Sequence, residues 1–434
     1  MKLNHIINVF ISKLYFFWGI KYFIRDLIKV EKKNNLKKLS TINQYLTRSN
    51  KKIINFRESA FGFAICQLDY LFKYIKFNKL DKSNFIFISN KIKNKYLKFI
   101  IEDKLNIKIK EREKIYSLLI STFPKKKYFG NNFVICPADC GNYDYKTDLK
   151  INFTQKEKEY GDNLLRKIGI NNDTKFVIFS YKSSTYYSKY LNNLTEPNSH
   201  SISQSYRMSD YKRLLKTLNY LETMGLKSLN INYLDKDEEK YFKDFPKLQS
   251  IENIDDRNFL EFYVNYKCEF GITGNSGDQF LSKLFEKKNL LHNGIIPHSL
   301  SHGIFLPKKF KDKNSGKMLS LKEVLSRRIL YHEKSDISKL ISLPPTYFRD
   351  TQHFLNKNLV IIENTEDEIL EATKEMCELN KYNFLKLSSK DHNKQESLKE
   401  IYTNSFYETT DVLKKKKIGS YISPSFLKKN KYFA

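Results

Sequence analysis

The sequence has 434 residues, a length that suits two domains of about 150–200 residues each rather than one core. Hydrophobic residues make up 41% and aromatics 15%, while Gly (14) and Pro (9) are scarce, which excludes collagen-like and linker-like chains. Lys and Arg total 77 against 48 Asp and Glu, and the resulting net charge of +29 favours anionic partners such as phosphates, nucleic acid or an acidic membrane surface.

Residues 1–45 read as an amphipathic, basic helical segment. Lys13, Lys21 and Arg25 break its apolar run, so it falls short of the ~18–20 residues that span a bilayer. No small-residue cleavage site follows it, which argues against a signal peptide. Ile6, Ile7, Phe10, Leu14, Phe17, Trp18 and Ile20 have basic residues between them. That pattern suits a helix lying on an anionic membrane, and it equally suits a helix packed on the next domain.

Residues 46–153 alternate strands and helices, the pattern of a parallel sheet with crossovers. The strands are KIINF (52–56), NFIFIS (84–89) and FVICP (133–137), and the helices ICQLDYLFKYIKF (65–77) and KYLKFIIEDKL (95–105). The turn between the first strand and helix holds a single glycine, Gly62. Residues 154–385 form a second such series. Its first helix, 153–170, has Thr154 at the N-cap and Glu157 three residues on, a capping box. Then come strand KFVIFSY (175–181), a polar loop (192–205), helix 206–225 with Gly225 just past its end, and strand SLNINYL (228–234). Helix 257–267, strand CEFGITG (268–274), helix 276–287, strand NLLHNG (289–294) and a last helix after LVIIENTEDEI (359–369) follow. Residues 386–434 read as a helical tail. The KKKK run at 414–417 is the one low-complexity stretch and reads as solvated.

The stretch with most chemical potential is FGITGNSGDQF. Ligands of open parallel sheets sit at the carboxyl ends of strands, and this turn leaves such an end. Gly274 and Gly277 let backbone approach a ligand. Asn275 and Ser276 can cap the next helix, whose first N–H groups attract phosphate. Thr273 is expected to point toward that ligand. The turn matches neither a P-loop nor GxGxxG, and a plain capped corner also accounts for it. Lys182, in the loop after strand 175–181, and Arg207, beside Asp210 in SYRMSD, are candidate phosphate ligands; an exposed lysine and an ion-paired arginine are the plainer alternatives. His292, His298 and His302 lie near the end of another strand and are candidates to touch a nucleotide or its phosphates, His298 foremost; polar loop histidines are the plainer alternative. The five cysteines have irregular spacing, and Cys136 and Cys140 lack a second zinc-type pair, so they read as reduced thiols of a cytosolic protein. The charge has a second account. Lys, Asn, Ile, Tyr and Phe share A/T-rich codons, and no nucleic-acid module signature is present, so no specific nucleic-acid partner is expected.

Several stretches carry a resemblance: FTQKEKEYGDNLLRKIGI, SYRMSDY, NFLEFYVNYKCEFGITGNSGDQFLSKLF, IPHSLSHGIFLPKKF, LVIIENTEDEI and IGSYISPSFLKKN, with a weaker one at SAFGFAICQLDYL. In this order and spacing the chain resembles a family of bacterial glycosyltransferases found with surface-polysaccharide genes. The resemblance implies a GT-B fold, two Rossmann-like domains facing a cleft, in which the first takes the acceptor and the second the nucleotide-sugar. It implies sugar transfer to a polysaccharide or lipid-linked glycan, with no cofactor beyond the donor itself; the basic-apolar pattern of residues 6–30 is expected to bring such an enzyme to the inner face of the cytoplasmic membrane. The sequence departs from the family where Phe63 replaces a His after Gly62, where Lys182 stands for an Arg, and where NINYLD replaces an Arg-Met-Gly-like turn. Lys at 182 offers a point charge instead of a planar fork. DKD (235–237) is the one Asp-x-Asp triplet and opens a charged helix, so transfer is expected to be metal-independent. Asp139, Asp144 and His200 are the candidates for the general base. An epimerase on the same plan and a degenerate, non-catalytic glycan or anion binder are the alternatives.

Overall fold

The computed structural model describes residues 44, 47–50, 52–56, 64–65, 68, 81, 84–89, 92, 94–104, 109–111, 133–134, 151–182, 205–295, 303–326, 354, 356–407 and 419–434. The fold is α/β and divides into two compact units. The first comprises 1–59, 71–137 and 335–343, and the second comprises 60–70, 138–334 and 344–434.

The first unit contains strands β1 (Lys52–Phe56) and β2 (Phe85–Ser89), helix α1 (Lys95–Phe99), and strands β3 (Ile109–Glu111) and β4 (Phe133–Val134). The side chain of Asn94 starts α1 by accepting the Leu97 N–H at 2.8 Å. A π-helical turn, Ile100–Lys104, continues it. Tyr96, Leu97, Ile100 and Ile101 are buried. The four strands lie in the order β3-β2-β1-β4, all parallel. This is the order of the first four strands of a Rossmann sheet, with its switch point between β1 and β4.

The second unit opens with α2 (Gln155–Lys167), and its capping box is formed as read from the sequence: Thr154 Oγ1 accepts the Glu157 N–H, and Glu157 accepts the Thr154 N–H at 2.7 Å. There follow β5 (Phe176–Ser180), α3 (Leu215–Thr223), β6 (Lys227–Asn230), α4 (Lys236–Tyr241), α5 (Ile254–Lys267), β7 (Gly271–Thr273), α6 (Asp278–Leu284) and β8 (Asn289–Gly294). The chain continues through β9 (Gly303–Pro307), β10 (Lys309–Asp312), α7 (Leu321–Ser326), β11 (Leu359–Ile362), α8 (Glu366–Tyr382), α9 (Ser389–Tyr407), β12 (Tyr421–Ile422) and α10 (Pro424–Lys429). Six strands form one parallel sheet in the order β12-β9-β8-β7-β5-β6. Every residue of β5, β7, β8 and β9 is buried, as befits strands covered on both faces.

Three readings are corrected here. Residues 386–434 are no separate tail: they supply β12, the sixth strand, and Leu398, Phe426, Leu427 and Phe433 sit in the main core. Segment 206–225 is not one helix. It has 3₁₀ turns at Ser205–Arg207 and Tyr211–Leu214 and becomes α-helical only at Leu215. Strand SLNINYL stops at Asn230, whose Oδ1 accepts the Asn232 N–H at 2.8 Å and turns the chain. The N-terminal amphipathic segment and the KKKK run lie outside the described residues.

Candidate functional site

The second sheet reverses direction at β5. The chain passes from β5 to β6 on one side and then returns to place β7 on the other. Loops leaving the carboxyl ends of β5 and β7 therefore diverge to opposite faces, and the crevice between such loops is where open α/β sheets bind ligands. Tyr181 and Lys182 leave β5 there, and the Gly274–Gly277 turn leaves β7.

The turn is a tight corner on its inner side. The Gly274 N–H donates to the Ser180 carbonyl at 2.8 Å, and the Ser276 N–H folds back on the Gly274 carbonyl at 2.7 Å. A Cβ on Gly274 would stand 3.4 Å from Tyr181 Cα, so the turn lies directly on the β5 backbone. Ser276 Oγ is 3.3 Å from Ser180 Oγ and donates to the Asp278 carboxylate at 3.0 Å. Asp278 is thus tied to the start of α6, as its position at a helix start favours. On its other side the turn offers donors. Among the described residues, the N–H groups of Asn275, Gly277 and Asp278 make no hydrogen bond. α6 has only seven residues, so these local N–H groups are what it contributes.

Three candidates differ from expectation or gain definition. Thr273 does not point out of the sheet toward a ligand: it is fully buried and its hydroxyl accepts from Asn289 Nδ2 at 2.9 Å. Side chains alternate along a strand, and the register that puts Gly274 on the β5 backbone puts Thr273 on the Asn289 side. Arg207 is brought to the turn, with its Nε donating to the Asn275 carbonyl at 2.9 Å. Lys182 is buried, and its carbonyl accepts the Ser209 N–H at 3.0 Å.

Behind the turn lies a buried polar network from the carboxyl ends of β8, β9 and β11. Asn293 and Asn364 bond reciprocally, each side-chain oxygen accepting the other's backbone N–H, at 2.6 and 2.7 Å. Asn293 tolerates its left-handed φ of 51° because its short amide suits that region. Asn293 Nδ2 donates to Ser209 Oγ at 3.1 Å and lies 3.3 Å from His292 Nδ1. An amide nitrogen only donates, so Nδ1 is the acceptor and the His292 proton sits on Nε2. Nε2 is buried without a hydrogen-bonding partner in good geometry. Burial lowers the His292 pKa to about 4, with the Ser180 backbone acting against the shift and Lys308 adding to it.

That shift has a direction. The unfolded imidazole takes a proton below about 6.5 and the folded one does not. Stability is therefore fully present above pH 6.5 and falls as the pH drops toward 4, by about 3 kcal/mol from this residue. Urea unfolding at pH 7 and 4.5 measures it. The difference should shrink in His292→Gln, and an unchanged difference would show that His292 titrates normally.

The general-base candidates Asp139, Asp144 and His200, the phosphate candidate His298, His302, and Gly62 with Phe63 all lie outside the described residues. By chain position, Gly62 follows β1, and Asp139 and Asp144 follow β4, the two strands that flank the first unit's switch point. Sequence reasoning passed over Lys308, Glu363, Asn364 and Arg257. Arg257 is buried, stacks 3.9 Å from the centroid of Tyr233, and pairs with Glu261 at 3.2 Å. Asp235 caps α4 through a second capping box, so the DKD triplet starts a helix as read from the sequence. Cys268 and Cys377 are free thiols, and burial pushes Cys268 up to about 12. Among the described residues no group of His, Cys, Asp or Glu could hold a metal ion, and no helix is long and apolar enough to cross a membrane.

No family model matches the sequence, and no curated protein matches it. Solved structures match in part. A glycosyl transferase family 9 protein from Veillonella parvula is 10% identical with a TM-score of 0.40, covering 59% of this chain and 85% of that one. The ADP-heptose LPS heptosyltransferase II of E. coli is 7% identical with a TM-score of 0.34, covering 59% and 90%. E. coli heptosyltransferase WaaC with ADP-2-deoxy-2-fluoro heptose is 10% identical with a TM-score of 0.25, covering 56% and 88%. At such values the likeness assigns no role to any residue of this chain.

Proposed function

We propose that the chain is a glycosyltransferase that moves a sugar from a nucleotide-sugar donor to a polysaccharide or lipid-linked glycan, without a metal ion. The observation that carries this reading is the switch-point turn: three backbone N–H groups without an acceptor among the described residues, with the Arg207 guanidinium bonded to the same turn. Such donors suit a diphosphate, whose charge grows as the sugar departs, and fixed dipoles stabilise that charge without reorganisation. Arg207 adds positive charge beside them. The family resemblance of the sequence supplies the sugar. Asp139, Asp144 or His200 would take the acceptor proton.

Calorimetry against a panel of nucleoside diphosphates, with a transfer assay, tests the reading. If no diphosphate binds and no sugar moves, it fails. Conversion of a donor with no acceptor present would instead mark an epimerase.

A lipid-linked acceptor fits an enzyme held at a membrane surface, and residues 6–30 have the basic-apolar pattern for it. The intact chain should float with anionic vesicles, and a chain lacking residues 1–30 should not. Equal flotation of both would end the idea.

A further inference from the structure

We infer that Lys308 and Glu363 are positioning residues that lock the segment following Arg207 onto the carboxyl edge of the sheet and so hold its guanidinium on the turn. The inference rests on the donor-site reading for its effect on binding, but the lock itself is a separate, measurable property.

Met208, Ser209 and Asp210 form no regular helix, and each is fastened from outside. The Met208 carbonyl accepts from Lys308 Nζ at 2.9 Å. The Ser209 N–H donates to the Lys182 carbonyl at 3.0 Å, and its hydroxyl accepts from Asn293 Nδ2 at 3.1 Å. The Asp210 N–H donates to Glu363 Oε2 at 3.1 Å. Lys308 Nζ stands 4.0 Å from Glu363 Oε1, and Arg213 Nε 3.9 Å from Glu363 Oε2. Arg213 also donates to the Asn364 carbonyl at 2.7 Å. Two charged side chains from the ends of β9 and β11 thus grip the backbone one and three residues after Arg207. A backbone stretch that makes no helix must find such partners when it is covered.

The Lys308 side chain is 2% exposed and runs beside Ile295, Phe310, Leu321, Val324 and Phe433, which line a cavity of about 10 Å³ with it. Burial lowers its pKa to about 8, against the pull of Glu363. Lys308 is the buried member of this pair, while Glu363 is a quarter exposed and keeps Arg213 at 3.9 Å; removing the ammonium therefore lifts its desolvation cost and leaves no fully buried, unpaired charge behind. The pair's geometric consequence is specific: it fixes where residues 208–210 lie, and therefore where Arg207 starts. The sequence hides this, since Lys308 sits in PKKF and reads as one surface lysine among many.

Lys308→Met in the full chain separates the two roles. Its urea midpoint should stay near that of the parent, while amide hydrogen exchange at Ser209 and Asp210 should quicken at least tenfold. In calorimetry with ADP, GDP and UDP, the diphosphate that the parent binds should bind about tenfold more weakly to Lys308→Met. In an Arg207→Ala background the same change should cost no further affinity, because Lys308 acts through Arg207. Unchanged exchange at Ser209 and Asp210 would overturn the lock. Additive affinity losses would overturn its action through Arg207. If the parent binds none of the three diphosphates, the proposed function is what fails, and the exchange measurement still decides the lock.

Discussion

Replacing Gly303 by alanine should cost the second unit about 3 kcal/mol or more, read as a large fall in urea midpoint. Gly303 opens β9 with φ +144°, and a Cβ there would stand 2.0 Å from the Asn289 carbonyl oxygen and 2.9 Å from its nitrogen. The clash is with backbone, so no rotamer relieves it. Asn289 cannot retreat easily either. Its Nδ2 donates to Thr273, and its Oδ1 lies only 2.8 Å from where a Cβ on Gly271 would be. A displacement at β9 would therefore pass through β8 into β7, the strand that carries the turn. Gly316→Ala is the control: φ is +71°, but the nearest atom is Lys311 Cε at 3.9 Å. It should lose only the conformational term of about 1 kcal/mol. Equal midpoints for Gly303→Ala and the parent would mean that β9 enters the sheet differently.

Gly277→Val should lower donor affinity at least tenfold and leave the fold in place. Gly277 is not among the glycines with positive φ, so valine can adopt its backbone. Its carbonyl still accepts the Phe280 N–H at 3.1 Å and starts α6 as before. The β-branched side chain would occupy space where a diphosphate must reach the Gly277 and Asp278 N–H groups. Each charge-assisted hydrogen bond lost costs about 1.5–3 kcal/mol. Calorimetry on the folded variant reads the loss. Parental affinity would leave this turn a corner and nothing more.

What the sequence revealed follows how local each signal is. The Thr154–Glu157 capping box, the Gly225 end of α3 with its φ of +74°, and the helix opened by Asp235 each depend on residues a few positions apart, and each is found. The turn after β7 was legible because small residues follow a buried strand. The antiparallel pairing of β10 with β11 was not, since Lys309 meets Ile362 across a long separation that no local pattern encodes. The same holds for the network behind the turn. Asn293 and Asn364 look like unrelated asparagines until the pairing of β8 with β9 and of β10 with β11 brings them together. Thr273 was misassigned for a different reason. Its neighbours in sequence fix the position of the strand end, but which face it takes depends on register with Asn289.

The pairing of β12 with β9 has a consequence for how the chain matures during synthesis. The Ile422 N–H donates to Gln395 Oε1 and its carbonyl accepts from Gln395 Nε2, and its segment covers the outer edge of β9. Those residues leave the ribosome long after β9 has emerged. Until then β9 presents unpaired backbone groups, an invitation to another strand. A nascent chain stalled before residue 419 would hold most of the second sheet with one edge open. Such intermediates are prone to self-association, and holding them apart is work for a chaperone rather than for the chain itself.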